Sequence, residues 1–178
     1  MRKHAALGRP RPFWLGLCFF CLIHVGGCGQ SSAGAEAAFQ RGDYATALKM
    51  WRERAEEGDA VAQNYLGVHY QLGLGISQDY AEAAKWYVQS AENGNPDAQR
   101  NLGTMYYQGH GLPQDNGLAY GWYYVASKNG NAKAEEARQS MMDEMTPNHC
   151  RLSEKRIKEY LVSRGILKRV MSNGQLEE

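Results

Sequence analysis

Residues 62–97 and 98–133 align without a gap, and 15 of the 36 paired positions are identical, from Ala62/Ala98 to Asn95/Asn131. Ordinary composition would match about two or three positions by chance. A true period of 36 residues belongs to arrays of stacked helical hairpins. Each returning residue has a mechanical reading. Leu66 and Tyr70 stand four apart on one helical face, as do Leu102 and Tyr106. Gly67 and Gly103 lack a side chain where a neighbouring helix must come close. Gly73 and Gly109 fall where the first helix of each hairpin ends, and a left-handed residue there closes it. Asp79 and Asp115 then stand at the start of the second helix, with a carboxylate for its free N–H groups. Glu82 follows Asp79 in a variant of the capping box. Ala83 with Trp86, and Ala119 with Trp122, form the buried stripe of that second helix. The next turn, Gly94-Asn95-Pro96, returns as Gly130-Asn131 and is anticipated at Gly58-Asp59.

The glycine-rich stretches LGLGISQD (72–79) and QGHGLPQD (108–115) are therefore punctuation between antiparallel helices. They precede a helix but follow no strand, so they lack the context of a nucleotide-binding fingerprint. Taken together, the repeating positions resemble the pattern of Sel1-like repeats, relatives of tetratricopeptide repeats. Residues 62–97 match that pattern at Leu66, Gly67, Tyr70, Gly73, Gly75, Asp79, Ala83, Trp86, Tyr87, Ala91, Gly94 and Asn95. Residues 98–133 match nearly as well, with Ser127 at the late alanine. The resemblance implies an all-α fold, a short antiparallel helical-hairpin solenoid with a C-terminal capping helix, and a role in protein–protein interaction.

The resemblance covers residues 36–145. Residues 36–61 form a half repeat in which Asp43, Tyr44, Ala47, Ala55 and Gly58 fall one period before Asp79, Tyr80, Ala83, Ala91 and Gly94. Residues 134–145 read as a decayed first helix, because Arg138 and Gln139 occupy the Leu-Gly columns, and a polar-faced helix suits a terminal cap. Residues 146–178 read as a basic C-terminal helix and tail. Within it Ser153 can cap, Ile157, Tyr160 and Leu161 line one face with Leu152 as a candidate fourth member, and Gly165 ends the helix. Seven basic residues against two acidic ones between Arg151 and Val170 face a solenoid with nine basic and fifteen acidic residues. The expectation is a basic cap laid on an acidic array, with contact to anionic lipid headgroups or another acidic partner as the alternative.

The first 27 residues look removable. Arg2, Lys3, Arg9 and Arg11 precede the apolar run 13–25, which is too short to span a bilayer and carries the marks of a secretory signal peptide. Val25-Gly26-Gly27-Cys28 resembles the lipobox of bacterial lipoproteins, which implies lipidation of Cys28 and cleavage before it. Gly29, where an aspartate favours the inner membrane, points to a periplasm-facing lipoprotein of the outer membrane. Residues 28–35 are small and polar and read as a flexible tether. Cleavage leaves 16 basic and 19 acidic residues, which argues against nucleic-acid binding.

No catalytic constellation, metal site or cofactor motif is expected. His69, His110 and His149 are not at ligand spacing, no Cys-x-x-Cys occurs, and His149 and Cys150 are neighbours in an expected loop. Sel1-like proteins described as penicillin-binding or hydrolysing carry a cysteine bridge in each repeat, and this chain has none at its repeats. Recognition then falls to the columns that differ between copies. By the analogy with tetratricopeptide folds, the first helix of one repeat offers Val61, Asn64, Tyr65, Val68, Gln71 and Leu72. The first helix of the next offers Asp97, Arg100, Asn101, Thr104, Tyr107 and Gln108. Tyr65 and Tyr107 are of the type enriched at interface hot spots, and Arg100 suits a carboxylate. The expected function is a non-enzymatic envelope lipoprotein that scaffolds or regulates a protein or peptide partner. The alternatives are a cell-wall-directed enzyme or enzyme inhibitor (peptidoglycan or β-lactam related) and a secreted host-interaction factor.

Overall fold

Seven helices of equal length build the array, followed by a longer one that folds back over it. The computed structural model describes residues 28–171, so the expected leader and residues 172–178 lie outside the described residues. Among the described residues there is no strand, and the order is α1 (Cys28–Gln40), α2 (Tyr44–Glu56), α3 (Ala60–Leu72), α4 (Tyr80–Glu92), α5 (Pro96–Gln108), α6 (Asn116–Lys128), α7 (Ala132–Glu144), α8 (Pro147–Ser163) and α9 (Leu167–Val170). Each of α1–α7 has 13 residues and so runs about 20 Å, which lets successive hairpins stack in register. The all-α solenoid expected from the repeat is the observed fold.

The caps set the helix starts. The Asp79 carboxylate accepts from the backbone N–H groups of Ala81 and Glu82 at 2.9 and 3.0 Å, and Asp115 accepts from Leu118 at 2.8 Å. Asn95 and Asn131 do the same for Ala98 and Ala134 at 2.9 Å. The capping box expected at Glu82 is not closed. The Asp79 N–H instead donates to the Tyr70 carbonyl, tying the hairpin across its turn, and Glu82 pairs with Lys85 at 2.8 Å.

Glycines set how closely the layers approach. A Cβ at Gly67 would lie 2.6 Å from the Tyr87 ring, and one at Gly103 2.9 Å from the Tyr123 ring. Gly75 and Gly111 have a second duty beyond reversing the chain. Both have φ of +70°, and a Cβ would lie 2.9 Å from the Tyr44 carbonyl carbon in one case and 2.1 Å from the Tyr80 carbonyl oxygen in the other. Each hairpin turn thus rests on the start of the preceding hairpin's second helix. A polar ladder makes the next link. Gln63 Nε2 donates to the Ala55 carbonyl and Gln63 Oε1 accepts from Asn93 Nδ2; Gln99 repeats this with Ala91 and Asn129. These buried amides are satisfied between repeats, which explains why Gln63/Gln99 and Asn93/Asn129 recur.

Three further expectations are corrected. The stretch 28–35, read as a tether, is helical in α1, with Ala35 and Ala38 fully buried against α2 and Gly34 under Met50. Small residues suit a linker, and they equally suit a helix whose neighbour lies close. His149 and Cys150, expected in a loop, occupy the first turn of α8, where Thr146 is the N-cap and Pro147 the first residue. Ser153 is not the cap; it is buried against α6 beside Gly117.

Helix α8 does not continue the stack. It crosses α6 at Gly117 and Gly121, where a Cβ at Gly121 would meet Ile157 at 2.9 Å. Ile157, Leu161, Ile166, Val170 and Met171 join the central core with Ala84, Tyr87 and Trp122. Glu92 anchors this strap, accepting from Tyr160 at 2.6 Å and pairing with Arg164 at 3.0 Å. The Ile157–Leu161 stripe of α8 is therefore consumed by the fold, whereas Leu152 and Val162 stay exposed.

Candidate binding face on the first helices

The twelve residues expected to meet a ligand lie on α3 and α5, and the structure divides them by use. Asn64 is buried, and its Oδ1 accepts from Asn101 Nδ2 at 3.0 Å, joining the two helices. Val68 packs against the central core. Tyr65 stacks on Trp51 at 4.4 Å between ring centroids; burial, then the Glu36 carboxylate that accepts its hydroxyl, pushes its pKa up to about 12. These three are floor and wall. Val61, Leu72 and Tyr107 are exposed at 49%, 59% and 38%, and Asp97 and Gln108 are exposed as well. Val61 and Leu72 are eleven residues apart, so they share one line along α3 about 16 Å long.

The tyrosines of the second helices complete this face, and sequence reasoning placed them only in the scaffold. Tyr87 is buried to its ring, passes over Gly67, and donates its hydroxyl to Gln71 Oε1 at 2.6 Å. Tyr123 passes over Gly103 and shares a hydrogen bond of 2.9 Å with Thr104 Oγ1. The signal was available: a tyrosine rather than a phenylalanine beside each glycine column calls for a hydroxyl partner on the far helix. Burial holds both phenols well above the ordinary tyrosine range, and the nearby Arg100 charge opposes that rise in each. The Asp97 carboxylate is occupied by Asn131 Nδ2 at 2.8 Å.

Elsewhere, two open clefts flank α8. The larger, about 480 Å³, is lined by Asp115, Glu144, His149, Leu152, Ser153 and Arg156, and the smaller by Tyr120, Arg138, Met142, Cys150, Arg151 and Glu154 among others. Neither includes any of the twelve residues on α3 and α5. No group of three or more His, Cys, Asp or Glu side chains is placed to hold a metal ion among the described residues.

The 36-residue unit can now be compared with known proteins. The Sel1 repeat family matches residues 60–95 and 96–131, two consecutive periods. The chain carries two Sel1 repeats. A protective antigen of uropathogenic Escherichia coli with an SLR fold is similar to it at 27% identity and a TM-score of 0.71, over 84% of this chain and 33% of that one. A Sel1 repeat protein from Oxalobacter formigenes superposes with a TM-score of 0.57 at 24% identity, over 80% of this chain and 56% of that one, and shows the fold alone. The chain thus spans a third of the first protein and just over half of the second. No curated protein matches it. Sel1 repeats are in general scaffolds for protein–protein contact and typically non-catalytic. In this chain the repeat boundaries fall two residues before the alignment that begins at Ala62, which leaves the period unchanged.

Proposed function

We propose that this Sel1 repeat protein is an envelope lipoprotein, held to the outer membrane by an acyl chain on Cys28. In this reading it binds a segment of a protein partner along α3 and α5 and carries out no chemistry on it. The observation that carries the binding reading is the division of labour between columns. The identical positions Leu66/Leu102, Gly67/Gly103 and Gln63/Gln99 are all buried in packing or in the ladder. Of the positions that differ, Gln71/Tyr107 and Leu72/Gln108 lie towards the outer side of the same helices, and the Asn64/Arg100 column is buried in the first copy and half-buried in the second. A surface with exposed apolar residues over a polar, hydrogen-bonded floor suits an extended or helical peptide segment. The lipid anchor is supported by Val25-Gly26-Gly27-Cys28 at the end of a basic and apolar leader.

Two measurements test this reading. Mass spectrometry of the processed N-terminus should find an acylated Cys28, and a free N-terminus beyond it would remove the anchor. A photo-crosslinking residue at Leu72 or Tyr107 should trap a protein partner in cells, whereas one at the exposed Lys155 should not. Crosslinks from Lys155 alone would place recognition on α8.

A further inference from the structure

Arg100 is a half-buried cation on α5 that the scaffold does not pair. Among the described residues its side chain makes no hydrogen bond and no ion pair, although Arg54, Arg138, Arg156 and Arg164 each have an acidic partner. Its Nε is buried and without a hydrogen-bond partner, and its charge opposes the rise in the Tyr87 and Tyr123 pKa values. Neither Nη is both buried and unbonded, so with no partner on them the forked end keeps contact with solvent. The one carboxylate on its own helix is not paired with it. Asp97, one turn before it, is engaged by Asn131 instead. The repeat shows that packing does not demand an arginine here: the same column holds Asn64 in the preceding copy and the exposed Glu136 in the following one.

An unpaired, half-desolvated guanidinium is costly unless a partner supplies charge, and its fork geometry matches a carboxylate in particular. Exposed Tyr107, seven residues on, shares the Arg100 face of α5, and Leu72 is exposed at the end of α3, so both can take apolar neighbours of that carboxylate. Building on the binding-face reading above, we infer that Arg100 is a carboxylate receptor: it takes the side chain of an aspartate or glutamate within an extended segment of the protein partner, flanked by apolar residues that rest on Leu72 and Tyr107. The charge complementarity selects the occupant, because no other cation stands on this face of α3 and α5.

A display library of random peptides, fused to the carrier through their C-termini, provides the test when panned on the purified full chain. The fusion removes the terminal carboxylate, so only acidic side chains can be selected. The expected binders share an aspartate or glutamate beside apolar residues. Replacing that acid by its amide should weaken binding about tenfold or more, as loss of a charged hydrogen bond does. Arg100→Ala should cause the same loss for the acidic peptide and almost none for the amide peptide, which is the signature of a direct pair. Arg100→Lys should restore part of the affinity, and an unchanged melting temperature in each variant excludes a folding defect. Binders that lack an acid, or bind equally as amides, while Leu72→Ala and Tyr107→Ala release them, would overturn the receptor and leave the binding face standing. Acidic binders that ignore Arg100→Ala and are released by Arg151→Ala or Lys158→Ala would overturn it in favour of α8. An empty selection would overturn both readings.

Discussion

His69 illustrates what one column change does inside a repeat. It occupies the place that Met105 fills in the next copy, and both side chains are fully buried. Its Nδ1 lies 2.7 Å from the Leu74 carbonyl, so Nδ1 must carry the proton and donate. Nε2 is then a bare acceptor, buried without a partner, with the edges of Phe39 and Tyr44 nearby. Burial holds the His69 pKa below the ordinary histidine value, and the bond to Leu74 offsets only part of this. The unfolded chain therefore takes up the proton first as pH falls through about 6.5. Stability should be flat above that pH and decline below it, by at most about 1.4 kcal/mol per pH unit, until the folded pKa is reached. Melting curves between about pH 7.5 and pH 5 should show this decline, and His69→Met should flatten it. An equal slope in the variant would assign the acid sensitivity to other groups. Gly111 makes a second point at this scale. Its φ of +70° and the Tyr80 carbonyl beneath it leave no space for a methyl group, so Gly111→Ala should cost about 3 kcal/mol or more. Thermal unfolding would read that cost, and a loss under about 0.5 kcal/mol, the range of an ordinary surface change, would show that the turns do not bear on one another.

At the scale of elements, the parts legible in the sequence are those decided locally. Helix starts at Asp79, Asn95, Asp115 and Asn131 follow from the capping chemistry of one side chain and the two or three residues after it. The close approach at Gly67 and Gly103 was legible as well, because a glycine in a helix interior needs a reason. The course of α8 was not. Its apolar stripe announces which face is buried but not what buries it, and a terminal cap would show the same stripe. The clue lay on the other partner: α6 has Gly117 and Gly121 where α4 has Ala81 and Lys85, and those two glycines open the seat for Ser153 and Ile157. Helix α1 was hidden for the converse reason, since its alanines and glycine look like linker composition until α2 is laid against them. Gly121→Lys, which restores the residue of the preceding copy, should therefore displace α8, and Ile157→Ala should destabilise the fold by about 2–5 kcal/mol. Protease accessibility of α8 reads the first effect. Continued protection of α8 in Gly121→Lys would contradict the docking assigned to that glycine.

For the molecule as a whole, a linear array with a strap on one side should not be uniformly stable. Repeat stability is close to a sum of unit and nearest-neighbour terms. The central helices α4 and α6 have neighbours on both sides and α8–α9 across them, whereas among the described residues the α1–α2 pair as a unit is flanked only by α3. Hydrogen exchange should accordingly open α1–α2 at a lower free energy than α4–α6, with α8 protected alongside α6. Exchange of all helices in a single cooperative step would contradict that gradient. The same separation of duties governs recognition, because changes on the outer side of α3 and α5 leave the packed columns untouched. The most direct measurement is an alanine scan of α3 and α5 in which melting temperature and photo-crosslinking to the partner are read on the same samples. Leu66, Gly67, Leu102 and Gly103 should lower the melting temperature, while Leu72, Arg100 and Tyr107 should lower crosslinking at an unchanged melting temperature. Crosslinking that falls only where the fold itself is weakened would contradict the assignment of recognition to the columns that differ between copies.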